Sequence, residues 1–141
     1  MNATALAKST IEMDIAQIVQ EFENATIDPA VFNHETHILV GWWYLQEHDL
    51  LQAITRFTSA VRQLTRKLGV EGKYHETITW FYLIKIAERC GDTVGRDWPA
   101  FKAANPDLFS WNPGVLQTYY SDAALFSDTA RRMFILPDLV R

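Results

Sequence analysis

No disulfide can form within this chain, because Cys90 is its one cysteine. A single thiol suits a reducing, cytoplasmic compartment. Glycine (6) and proline (5) are scarce and cluster between periodic segments, which argues against a loop-rich or low-complexity chain. The longest apolar stretch, Ile38 to Leu45, is far too short to span a bilayer. The opening MNATALAKSTIEMD has no basic segment followed by an apolar run, so no signal peptide is expected. An excess of positive charge is also missing. The formal net charge is -4, and phosphate contacts need clustered Lys and Arg, so nucleic-acid binding is not expected. The longest basic cluster, Arg62, Arg66 and Lys67, reads as the solvated face of a helix.

Strand-type alternation is absent, and helical periodicity runs almost throughout. With 141 residues, 48% of them hydrophobic, the chain can bury a core, and residues 1–141 are expected to form one helical domain. Ser9 and Glu12 have capping-box spacing, and Ile11, Ile15, Ile18, Val19 and Phe22 form a stripe ending near Asn24. Asp28-Pro29 or Asn33 opens a second helix running to about Glu47. A third spans Asp49 to Leu68, with Leu50, Ile54, Phe57, Val61, Leu64 and Leu68 inward and Gly69 closing it. The fourth, from about Tyr74 to Arg89, is apolar on most sides and therefore central; Lys85, Glu88 and Arg89 mark its wet edge. Asp97, Asn105-Pro106, Asn112-Pro113 and Ser121 are successive cap signals. They predict short helices over 98–104, 106–110, 113–120 and 122–134. The expected fold is all-α, a bundle of four longer helices with a C-terminal wrap of short ones.

Two segments carry the polar groups that a bundle interior would otherwise lack. In FNHETHILVGWW, His34 and His37 lie one turn apart on one helix face, and Gly41 follows a turn later. Glycine costs about 1 kcal/mol against alanine within a helix, so something should approach the backbone there. Tyr44 continues the stripe. In YHETIT, His75 and Glu76 fall at the start of the central helix, whose dipole disfavours an imidazolium and leaves His75 neutral. Thr79 and Tyr82 extend that face.

If the second and fourth helices are neighbours, His34, His37 and His75 converge. Three imidazoles with an open position could hold one divalent transition metal such as Zn or Fe, with Glu76 supporting or completing the set. Without a metal, His37 or His75 would serve as general base or hydrogen-bond partner, with Glu76 assisting. Gly41, Tyr44, Thr79 and Tyr82 would line a small-molecule pocket. The rival reading is a non-catalytic helical module that dimerises or binds a partner through aromatic surface, with structural histidines. His48 and Cys90 read as structural, and Trp42, Trp43, Trp80 and Phe81 as core. Arg131 and Arg132 sit near a helix C-terminus, where the dipole favours them, although either could meet a substrate anion. There is no Glu-x-x-His pair, Gly-rich phosphate loop, His-Glu-x-x-His or Gly-x-Ser-x-Gly.

The pattern F-x-H-x-x-H at 32–37 with Tyr44-Leu45, the segment Y-H-E-T-x-T at 74–79, and Tyr119-Tyr120-Ser121 with Ala130-Arg131 and Phe134 to Asp138 resemble a family of small, uncharacterised bacterial all-helical proteins. The resemblance covers most of the chain after Phe32. It implies that the three segments belong together, and it implies no reaction or substrate.

Overall fold

A computed structural model describes residues 14–91, 97–110 and 114–139, and among them the fold is all-α, with no strand. Helix α1 covers 14–23. Then follow α2 (His34–Glu47), α3 (Leu50–Lys67) and α4 (Glu76–Cys90). The C-terminal part holds α5 (Trp98–Ala104), α6 (Leu116–Tyr119), α7 (Asp122–Leu125) and α8 (Asp128–Arg132). Single 3-10 turns stand at Glu71–Lys73 and Pro106–Leu108. The expected Ser9–Glu12 capping box and the Asn112-Pro113 signal lie outside the described residues.

The caps explain the boundaries. Asn33 accepts from the Thr36 N–H at 3.0 Å and starts α2, so Asp28-Pro29 makes a turn instead, held by Asp28 accepting from Ala30 N–H. Asp49 and Gln52 form a reciprocal capping box at the head of α3. Gly69 ends that helix at φ +71°, where the Val70 N–H returns to the Thr65 carbonyl at 2.8 Å. The expected helix over 122–134 is split. Ser121 caps α7, and Ser127, whose hydroxyl accepts from Ala130 N–H, caps α8 as a second start.

Helix α4 packs on α2, α3 and α8, which makes it central as its apolar girth predicts. Helix α2 is nearly as enclosed, with Ile38, Leu39, Val40, Trp42 and Tyr44 all buried. Gly41 is where the two helices meet. A Cβ there would stand 3.0 Å from Leu83 Cδ2 and 3.2 Å from Ile86 Cδ1, so glycine permits the close crossing rather than lining a pocket. Two other expectations fail locally. Lys85 is buried, not at a wet edge, because its ammonium reaches Glu88 at 3.0 Å and the Tyr119 hydroxyl. Leu68 is 43% exposed at the end of α3.

The C-terminal segments wrap around α4 through specific polar bonds. Thr77, fully buried, has its hydroxyl 2.7 Å from the Ala130 carbonyl and 2.9 Å from that of Met133, and it accepts from Ile135 N–H at 3.2 Å. Tyr120 donates to the Ile135 carbonyl at 2.8 Å. These bonds hold α8 and the tail after it against the middle of the bundle, over one end of the site described next.

Candidate functional site

A cavity of about 700 Å³ lies between α2, α3 and α4, and His34, His37 and His75 all line it. The two helices carrying the histidines therefore do face each other. Phe32, Phe57, Val61, Leu64, Leu83 and Ile86 give it largely apolar walls. Phe126 and Arg131 border it from the C-terminal wrap. The volume falls within the roughly 300–1,000 Å³ typical of small-molecule sites.

His37 projects from the first full turn of α2. Its ring stacks on Phe32, with centroids 3.9 Å apart and planes inclined by 26°, and Phe57 stands 6.1 Å away on the other helix. Neither ring nitrogen has a hydrogen-bond partner among the described residues, although the side chain is half-buried. Burial among these rings, with His34 nearby, pulls its pKa down to about 4. At neutral pH His37 is a neutral imidazole offering one donor and one acceptor to the cavity.

His34 and His75 are committed differently. His34 Nε2 lies 2.8 Å from the Leu108 carbonyl, to which it must donate, and the ring stands edge-on to Tyr82 at 5.0 Å. Burial lowers its pKa against the opposing pull of that bond. His75 is the N-cap of α4 rather than a first-turn residue. Its Nδ1 accepts from Ile78 N–H at 3.2 Å, and Nε2 therefore donates to the Leu125 carbonyl at 2.6 Å. Both nitrogens are occupied, and burial first, then Arg131, keep the ring neutral.

These bonds decide what the three imidazoles can do together. Among the described residues no group of three His, Cys, Asp or Glu side chains could hold a metal ion. The His34, His37 and His75 set expected from the sequence shares one cavity, yet it is not assembled as a ligand set. His75 cannot contribute as it stands, because its two ring nitrogens are used by the Ile78 N–H and the Leu125 carbonyl.

Of the remaining sequence candidates, Thr79 and Tyr82 line the cavity. Thr79 donates to the His75 carbonyl at 2.8 Å, and burial followed by the charge of Asp107 pushes the Tyr82 phenol up to about 12. The others lie elsewhere. Glu76 does not line the cavity; its carboxylate takes Arg62 at 2.7 Å, the Trp80 indole N–H at 3.1 Å and the Tyr74 hydroxyl. That makes it an anchor between α3 and α4, with its carboxylate bonded to neither of the histidines it was expected to assist. Tyr44 donates to Glu23 at 2.7 Å and belongs to the contact with α1. The residues missed from the sequence are Phe32 and Phe126, and Arg131, weighed there as a possible anion partner, was not placed at this cavity. Phe32 carried a signal, since an apolar residue just before an N-cap folds back over its helix. Phe126 and Arg131 depend on how the wrap docks.

No protein-family model, curated protein or solved structure matches the chain. Among the described residues no helix is long and apolar enough to cross a membrane.

Proposed function

We propose that the protein binds a small, largely apolar molecule in the cavity between α2, α3 and α4, with His37 as the polar group that recognises it. The observation carrying this reading is the His37 imidazole itself, facing a cavity of about 700 Å³ with no hydrogen-bond partner among the described residues. A ligand that supplies a partner to this half-buried imidazole adds a hydrogen bond worth about 0.5–1.5 kcal/mol net. His34 and His75 support the site without contacting the ligand through Nε2, since their bonds to Leu108 and Leu125 tie the C-terminal wrap to the cavity rim. With a pKa near 4, His37 acts as a hydrogen-bond partner at neutral pH; in an enzymatic role it would be a weak proton acceptor.

Decanol is a suitable first probe, being uncharged, flexible and tipped by one hydroxyl. Calorimetric titration should show saturable one-to-one binding to the full chain. Thr79→Phe, which places a ring in the cavity, should weaken it about tenfold or more, and Val61→Phe should do the same from α3. Thermal unfolding of each variant confirms that the bundle survives. Equal decanol binding by wild type and both folded variants would overturn the assignment of the cavity.

A further inference from the structure

A second hollow, of about 420 Å³, adjoins the cavity, and Thr65, Tyr74 and Arg131 line both. Arg62, Arg66 and Arg132 complete a cationic border around this outer groove. Four of the chain's 13 Lys and Arg residues thus meet at one opening, on a protein of net charge -4. Lys73 adds a fifth cation on the side of the inner cavity.

Part of this charge is already neutralised. Arg62 pairs with Glu76 at 2.7 Å, and Arg66 stands 3.8 Å from Glu71. Arg131 and Arg132 are different. Arg131 donates to the Gly72 carbonyl and Arg132 to that of Asp128, and among the described residues neither meets a carboxylate. Backbone carbonyls orient the two guanidiniums, and no described carboxylate compensates their charge. Meanwhile the linings that α2, α3 and α4 give the inner cavity are neutral imidazoles, hydroxyls and apolar side chains, while its two cations, Lys73 and Arg131, come from the turn before α4 and from α8; a charged group seated between the three helices would lack a counter-ion. The two hollows therefore sort a ligand by polarity, with the apolar part inside and negative charge at the mouth.

Resting on the cavity reading, we infer that the ligand is an amphiphilic anion, with its apolar body between α2, α3 and α4 and a carboxylate or phosphate head held by Arg131 and Arg132. Guanidinium suits either head, since its fork of N–H donors matches two oxygens at once.

The test compares decanoate, decyl phosphate and decanol, each below its micelle concentration, by calorimetry on the full chain. At low salt the better of the two anions should bind about tenfold more tightly than decanol, and added salt should erode that preference. In Arg131→Gln/Arg132→Gln the preference should fall to about twofold or less while decanol affinity holds. Because Arg131 also braces Gly72, Arg66→Gln/Arg132→Gln serves as a second variant whose loss of fold is not expected, and it should lower the preference in the same direction. A preference for carboxylate over phosphate, or the reverse, identifies which head the groove takes. Equal affinity for all three probes in wild type overturns the inference, as does a preference untouched by either folded double variant. Inorganic phosphate that binds as tightly as decyl phosphate also overturns it, by uncoupling the groove from the cavity. The cavity reading fails separately, when decanol binding is absent or survives Thr79→Phe and Val61→Phe.

Discussion

Lowering the pH should destabilise this protein through His37, and the size of the effect follows from its surroundings. In the folded chain its pKa is about 4, against an ordinary value of 6.5, because ring stacking on Phe32 desolvates the imidazole. Above pH 6.5 both folded and unfolded chains carry it neutral, and the stability contribution is complete. Between pH 6.5 and 4 the unfolded chain binds a proton that the folded chain refuses, so stability falls as pH falls. Below about 4 both are protonated and the loss stops growing. At about 1.36 kcal/mol per pH unit, the loss reaches about 1.4 kcal/mol at pH 5.5 and about 2.5 kcal/mol at pH 4.5. Other groups in the chain titrate as well, so the measurement is a difference between wild type and His37→Phe, in which their contributions cancel to first order. Phenylalanine keeps the stack on Phe32 and removes the proton site. Urea unfolding at pH 7.5, 5.5 and 4.5 should show wild type losing stability faster than the variant by those amounts. A flat difference across the three pH values would refute the claim that His37 is desolvated in the fold.

Other consequences follow from the same bonds. Thr77→Val keeps the shape of a buried side chain but removes the hydroxyl shared by Ala130, Met133 and Ile135; a loss of about 1–3 kcal/mol in urea unfolding is expected, with faster amide exchange at Ile135. A cost near zero would mean that the Thr77 hydroxyl does not help to hold the wrap. Elemental analysis of the purified protein and of His34→Ala tests the metal expectation raised by the sequence. With both ring nitrogens of His75 used within the fold and no three-residue ligand group among the described residues, zinc or iron should be well below one per chain and unchanged by the variant, whereas stoichiometric metal lost with His34 would contradict the geometry described.

Much of the frame was legible from periodicity and caps, and the reasons are local. Helix α3 begins one residue after the expected Asp49 because the Asp49–Gln52 box is a short-range device. The Asp97 and Ser121 signals likewise start helices where they stand. Spacing on α2 and position at the head of α4 also fix which histidines share a side of each helix, and the facing of the two helices was a condition of the reading. What could not be read was the use of each polar atom. Whether His75 is a ligand or a cap depends on the Leu125 carbonyl, 50 residues away in sequence, and the same holds for His34 and Leu108. Gly41 signalled a close approach, but the approaching group is two aliphatic side chains of α4. Lys85 looked like a surface residue because its half-buried partner, Tyr119, lies in the wrap. The arginine groove needs residues from α3 and α8 side by side, and no periodic pattern links them.

The central claim is that a ligand enters between α2, α3 and α4. It is tested most directly by a heteronuclear NMR titration of the labelled chain with decanol. The account predicts saturable shifts concentrated on Phe32, His37, Val61, Thr79 and Tyr82. Shifts confined to the exposed Met133, Leu136 and Leu139 surface, or no saturation at all, would contradict it.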